Sequence, residues 1–398
     1  MTPQDDPLLW SFSGAQMVMD TWLAFLGKQP QPPRNERDEV ALPWTTPHRV
    51  ALELTTMQLR DFSRQGSGEQ LLICAPYALH TALIADFAPE HSIVEALLRG
   101  GRRRVYVTDW RSATASMRSL SIDSYLAEFN VAVDEIGPPV DLAGLCQGGW
   151  LSLVYAARFP EKVRRLVLAG APVDVSTPSA LSQMVANLPS GAFEGLVSPA
   201  TGLMNGRQMQ PAWSASLNAQ VEDALQWNPS LTTDHDRELI ERFARWDDNL
   251  VDLPGVYYVQ VADWIFRQNR IAEGNFVALG QRLDLRQLKV PLFLLAGMED
   301  KVVPPEQALA TARLLGTPPA HLQMETEHSG HLGLFMGRKT LRTTWQRISK
   351  WLATDLTDAA TPAAEAERNR LASRLSRQPV ERDATSAPRS QVRPPAIL

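Results

Sequence analysis

Along these 398 residues, three side-chain types that together can transfer an acyl group occur in a usable order: Cys146, Asp300 and His331. Cys146 stands in Gly144-Leu-Cys146-Gln-Gly148-Gly149, after an apolar strand and directly before an apolar helical run. That layout is a nucleophile elbow, whose sharp strand-to-helix turn strains the central residue and needs small residues two places to either side. Gly144 and Gly148 meet that need. The unpaired amides and macrodipole at the start of the following helix put partial positive charge beside the sulfur. A buried cysteine among loop glycines is the plainer reading of the same residues. The strand before it and the helix after it favour the reactive one.

A thiol becomes an efficient acyl acceptor when a base takes its proton and a third group orients the base. Asp300 follows an apolar strand in Met-Glu-Asp300-Lys-Val-Val-Pro304; Glu299 is its rival, and helix capping is its plainer role. Of seven histidines, His321, His328 and His331 follow the acid. His331 is preferred because Ser329-Gly330 precedes it and the apolar Leu332-Gly-Leu-Phe335 follows, leaving His328 as a surface loop residue. An oxyanion hole is expected from the backbone amides of Gln147 and of the loop around Pro76 to Ala78, taken at Tyr77. His80 in that loop reads as a residue without a chemical role, with substrate contact as the alternative. No His-Glu-x-x-His or paired Cys-x-x-Cys spacing occurs, and Gly144 to Gly149 lacks the Walker lysine and the Rossmann spacing, so no metal is expected.

The elements that must position these residues alternate. Leu71 to Ala75, Arg104 to Thr108, Val140 to Gly144, Val163 to Gly170, Val290 to Gly297 and Leu322 to Glu325 read as strands. Helices fall around His91 to Leu98, along the stripe Ile122, Tyr125, Leu126, Phe129, Val133 and Ile136, after Cys146, after Pro305 and over Thr340 to Leu352. This rhythm predicts an α/β fold with a mostly parallel sheet and helices on both faces. It breaks over Ser176 to Gly280, which is rich in Met and aromatic residues and reads as a helical lid or cap, with a packed subdomain lacking a gating role as the alternative. The expected division is an N-terminal helical extension over 1–65, with Trp10, Met17, Trp22 and Leu23 near helical spacing. A first core part follows over 66–175, the lid over 176–280, a second core part over 281–354 and a disordered tail over 355–398.

Composition narrows the class. Thirty-nine basic against 44 acidic side chains leave a net charge of −5, which gives no nucleic-acid footprint. Cys74 and Cys146 make a poor disulfide framework and suit a reducing compartment. Neither a signal peptide nor an apolar run of about 18 residues is found, so a cytoplasmic protein without a transmembrane segment is expected. The eleven tryptophans read as packing rather than as lipid or polymer contacts.

With Gly144-Leu-Cys146-Gln-Gly148-Gly149 in view, the chain resembles polyhydroxyalkanoate synthases, whose α/β-hydrolase core carries a G-x-C-x-G-G box. The likeness is greatest to the short catalytic subunits that work with a second subunit. It continues through Phe159-Pro-Glu-Lys-Val, Ala171-Pro-Val-Asp174, Leu253-Pro-Gly255, Gly280-Gln-Arg-Leu-Asp-Leu285, Glu299-Asp300-Lys-Val-Val-Pro304 and Ser329-Gly330-His331. Together these cover roughly Leu71 to Leu352. The resemblance implies an α/β-hydrolase fold with a lid and Cys146 as the acyl-bearing nucleophile. His331 would be its base, and Asp300 the orienter of that base or the activator of the incoming hydroxyl. It implies 3-hydroxyacyl coenzyme A as substrate rather than cofactor, a polyester chain or granule as partner, and a second synthase subunit or a homodimer as the assembly. Gly330-His331-Leu-Gly-Leu-Phe-Met-Gly-Arg338 and Val105-Tyr-Val-Thr-Asp-Trp110 are similar to intracellular polyhydroxyalkanoate depolymerases, which makes hydrolysis of the acyl-cysteine by water the alternative. A non-catalytic granule-binding relative is the second alternative.

Overall fold

The computed structural model describes residues 42–354, apart from 180, 181, 184, 186, 187, 190 and 209–232. The described residues fall in one compact unit, Met1–Ala359. Eight strands form the main sheet: β1 (Arg49–Glu53), β2 (Met57–Asp61), β3 (Gln70–Cys74), β4 (Arg104–Trp110), β5 (Val140–Leu145), β6 (Val163–Ala169), β7 (Leu292–Gly297) and β8 (Leu322–Glu327). Their order is β1-β2-β4-β3-β5-β6-β7-β8. Only β2 runs against its neighbours; the pairs from β4 to β8 are parallel. The central strands are apolar and buried on both sides: all six residues of β5 and all six of β7 are buried.

Register determines where chemistry can happen. Cys74 pairs with Gly144, Leu145 with Ala169, Ala169 with Leu295, and Gly297 with Glu327. The carboxyl ends of five adjacent strands therefore open onto one edge, where open α/β sheets hold their ligands. Helices α1 (Ile93–Arg99), α2 (Ile122–Ile136), α3 (Gln147–Arg158) and α6 (Arg338–Ala353) pack on the sheet, while α4 (Asp234–Asp248) and α5 (Gly255–Gln260) belong to the insertion between β6 and β7. Helix α2 matches its sequence stripe. Ser121 caps it, its hydroxyl accepting from the Ser124 amide while the Ser124 hydroxyl accepts from the Ser121 amide, and Ile122, Tyr125, Leu126, Phe129, Val133 and Ile136 are buried. Trp150, Trp246 and Trp345 are fully buried, as a packing role requires.

The helical reading of the N-terminal extension is corrected over 42–65. There the chain forms the β1–β2 hairpin at the sheet edge instead of helices. In β2, Met57, Leu59 and Asp61 are buried while Gln58 and Arg60 are half-buried, the period-2 pattern of a strand. Its buried carboxylate is ion-paired, Asp61 with Arg49, and Arg60 pairs with Asp109 of β4. The part of that extension over 1–41, the expected tail over 355–398, and Met184, Met209, Trp213 and Trp227 of the expected lid lie outside the described residues. Among the described residues no helix is long and apolar enough to cross a membrane.

At the opposite end of the sheet from the site, Asp141 on β5 is fully buried and its Oδ2 accepts from Arg102 Nη2 at 2.7 Å and from Arg164. Arg102 and Arg164 also donate to the Leu352 carbonyl, and Arg165 donates to those of Trp351 and Thr354, so three guanidiniums satisfy the end of α6. Asp141→Asn would strand the buried Arg102. It is expected to lower the unfolding free energy by about 3–5 kcal/mol, measured by urea denaturation.

Candidate functional site

Between β5 and α3 the backbone reverses within one residue, and Cys146 takes φ 48°, ψ −118°. This is the positive-φ conformation that side chains other than glycine rarely hold, so the packing around the turn must impose it. The glycines allow that packing. A Cβ on Gly144 would lie 2.5 Å from Gly149 Cα, one on Gly148 2.1 Å from the Cys74 carbonyl oxygen, and one on Gly149 2.3 Å from Ala171 Cβ. The elbow glycines let β3, β5 and the loop after β6 meet under the first turn of α3. The Cys146 amide donates to the Ala169 carbonyl at 2.9 Å, which ties the turn to β6. Because the strain belongs to the side-chain-bearing residue, Cys146→Gly should unfold about 1 kcal/mol later than Cys146→Ala, read from paired denaturant melts.

The loops after β7 and β8 are laced together. Met298 and Glu299 donate their amides to the carbonyls of Glu327 and Ser329, and a Cβ on Gly297 would sit 2.6 Å from the Ser329 oxygen. That contact brings Asp300 to His331. Asp300 Oδ1 accepts from the amides of Val302 and Val303 at 2.9 and 2.8 Å, and Oδ2 accepts from His331 Nδ1 at 2.7 Å. A second side-chain hydrogen bond joins the same imidazole to Cys146. All three are buried, with Cys146 7%, Asp300 4% and His331 1% exposed. Phe335 meets the His331 ring edge-on at 5.3 Å, and a Cβ on Gly170, where φ is +53°, would lie 3.3 Å from the ring. These contacts fix the plane of the imidazole and keep Nδ1 on the Asp300 carboxylate.

Burial opposes charge on His331, but the Asp300 carboxylate and Cys146 outweigh it and hold the imidazole pKa well above the ordinary 6.5. A raised folded-state value stabilises the fold fully below the unfolded value and ceases to do so as pH climbs through the folded one. The stability advantage of the native chain over Asp300→Asn that comes from His331 is therefore expected to be full below the ordinary imidazole value of 6.5 and to shrink as pH rises above it. Denaturant titrations from neutral to alkaline pH check this.

The two expected oxyanion amides lie on rigid supports. Gln147 is the first residue of α3, where a helix offers its amide no internal acceptor. Its side chain accepts from Trp150 Nε1 at 2.8 Å, one helical turn on. Tyr77 follows β3 with its ring buried against Tyr125, Tyr257 and Trp110, and the Trp110 indole donates to the Ala75 carbonyl at 2.8 Å. The rivals named from sequence fall away from this centre: Glu299 and His328 are exposed and His321 sits in a short helix before β8. Cys74 is buried, which pushes its thiol up to about 12 and leaves it a packing residue.

The profile of the family described as alpha/beta hydrolase fold matches residues 79–337. The chain belongs to the α/β-hydrolase fold family. Its curated relatives are narrower in kind. A Haloferax mediterranei protein named Poly(3-hydroxyalkanoate) polymerase subunit PhaC is 27% identical, covering 82% of this chain and 68% of that one. Proteins of the same name from Allochromatium vinosum and Synechocystis are 28% and 29% identical, covering 69% and 70% of this chain and 79% and 76% of theirs.

Within this α/β-hydrolase the sequence reading missed three supports. Trp150 holds Gln147 by an i, i+3 contact that a helical register permits but does not single out. Asp174 accepts from Asn269 Nδ2 at 3.0 Å while Asn269 Oδ1 accepts from the Val175 amide, joining the loop after β6 to the segment after the π-helical turn Val261–Arg267. His80 is a buried residue bonded to Asp247 of α4, not a free loop histidine. The last two pairs are about 95 and 167 residues apart, so no local pattern announces them.

Proposed function

We propose that this α/β-hydrolase moves 3-hydroxyacyl groups from coenzyme A thioesters through Cys146 to the hydroxyl end of a growing polyester. The observation that carries the reading is a thiol at the elbow, joined by one imidazole to a buried carboxylate. The relatives' names supply the substrate class. In the first half-reaction the Cys146 sulfur attacks the thioester carbonyl while His331 holds the proton that the thiol has given up. The carbonyl oxygen becomes an oxyanion facing the Gln147 and Tyr77 amides. The carbon–sulfur bond to coenzyme A then breaks, and His331 returns the proton to the departing thiol. In the second half, His331 takes the proton of the incoming hydroxyl, whose oxygen attacks acyl-Cys146. The ester bond forms, the Cys146 carbon–sulfur bond breaks, and the proton returns to sulfur.

Asp300 acts here by orienting His331. Both its oxygens are already engaged, one by two amides and one by the imidazole, which supports that role over direct activation of the hydroxyl. The near-complete burial of Cys146 and His331 supports resolution by a hydroxyl carried in on an apolar chain, since bulk water has little access. Coenzyme A enters only as the leaving group of the substrate, and no metal or prosthetic group takes part. The protein would work at the surface of cytoplasmic polyester granules. Incubation with 3-hydroxybutyryl coenzyme A is expected to yield free coenzyme A and polymer; free coenzyme A with only 3-hydroxybutyrate as the acyl product would contradict the reading.

A further inference from the structure

Helix α4 packs on the segment that follows β3, and the contacts concentrate on the loop bearing the Tyr77 amide. His80 Nε2 donates to Asp247 Oδ1 at 2.9 Å, and its ring stacks on Trp246 with centroids 4.3 Å apart. The Val251 amide donates to the Leu79 carbonyl at 2.7 Å, and His80 forms a β-bridge with Leu250. The Tyr77 hydroxyl donates to the Asp252 carbonyl at 3.2 Å, and the Trp246 indole reaches the Thr81 carbonyl at 3.5 Å. One short run, Trp246 to Asp252, thus grips four of the five positions from Tyr77 to Thr81, all but Ala78. On the core side the same loop is held at Ala75 by the Trp110 indole.

We propose that His80 is a positioning residue: by tying this loop to α4 it sets where the Tyr77 amide stands relative to the carbonyl attacked by Cys146. The role rests on the proposed acyl transfer. An oxyanion donor acts only at hydrogen-bond distance from where charge develops, and small displacements of such a donor are costly. The main-chain bonds of Leu79 and the His80–Leu250 bridge survive replacement of the His80 side chain, so they can keep the loop folded while its placement slackens. The His80–Asp247 bond and the stack on Trp246 are the part that a side-chain change removes. On this account α4 is the fixed back wall of the oxyanion loop.

The test compares two reactions of full-length protein. Alkylation of Cys146 by iodoacetamide needs the thiol and His331 but develops no oxyanion; acyl transfer from 3-hydroxybutyryl coenzyme A needs both. His80→Ala is expected to lower kcat for coenzyme A release by roughly 10–100-fold, with KM and the alkylation rate each changed by less than about threefold. His80→Gln, which still reaches Asp247 with a donor, is expected to recover most of the loss. Asp247→Asn, at a half-buried position that opens no cavity, should reproduce a smaller kcat defect of the same kind. Alkylation falling in step with acyl transfer, or an unchanged kcat in both His80→Ala and Asp247→Asn, would overturn the positioning role. Wild-type protein that alkylates at Cys146 yet releases no coenzyme A would overturn the acyl-transfer reading itself, and this role with it.

Discussion

Cys146→Ala is expected to cut coenzyme A release from 3-hydroxybutyryl coenzyme A by roughly 10⁴-fold or more, with the cooperative melt retained. The loss is large because nucleophile, base and orienter act as one unit: with the sulfur gone, His331 and Asp300 have no bond to form. The fold should tolerate the change, since alanine keeps the backbone of the turn and removes one buried atom. Cys146→Ser is the sharper comparison. It preserves shape and the hydrogen bond to His331, but it replaces the thiol by a far less acidic hydroxyl, so thioester exchange should also fall steeply. Steady-state coenzyme A release for the three proteins measures both. Residual activity in Cys146→Ala within tenfold of the wild type would remove Cys146 from the account.

Gly148→Ala is expected to be the most damaging single methyl in the site, costing about 3 kcal/mol or more in stability and acyl transfer with it. Its Cβ would lie 2.1 Å from the Cys74 carbonyl oxygen and 2.8 Å from that of Ala75, so the obstacle is backbone. Relief requires α3 to move away from β3, which separates the Gln147 amide from the loop bearing Tyr77. Gly149→Ala makes a different contact, 2.3 Å from the Ala171 side chain. That obstacle can be deleted. The double change Gly149→Ala with Ala171→Gly should therefore recover much of the stability lost in Gly149→Ala, whereas no neighbouring side-chain deletion should rescue Gly148→Ala. Equal losses for the two alanine variants, or rescue of neither, would show that the doubled glycine is not there for close approach.

The same contrast explains what the sequence disclosed. The neighbourhood of Cys146, Asp300 and His331 was legible because each follows a strand of the parallel run, and the strand ends of a parallel sheet line up along one edge, so order along the chain implies neighbourhood in space. Helix α2 was legible because its stripe and the Ser121 cap are local. Strands β1 and β2 were missed although β2 alternates: both are short, they lie at a sheet edge, and charged Arg49, Arg60 and Asp61 interrupt the apolar pattern, Asp61 being buried against Arg49 and Arg60 paired with Asp109. The insertion between β6 and β7 was legible as a break in rhythm. The role of His80 was not, because its neighbour Asp247 is remote in sequence and a lone histidine in a loop carries no periodic signal.

Mapping the acyl group tests the central claim most directly. Full-length protein mixed with 3-hydroxybutyryl coenzyme A, quenched in acid and digested, is expected to carry a 3-hydroxyacyl thioester on the peptide containing Cys146. That adduct should be absent from Cys146→Ala and pass into polymer when the unquenched reaction continues. An adduct on another residue, or turnover with Cys146 unmodified at every time, would contradict the account.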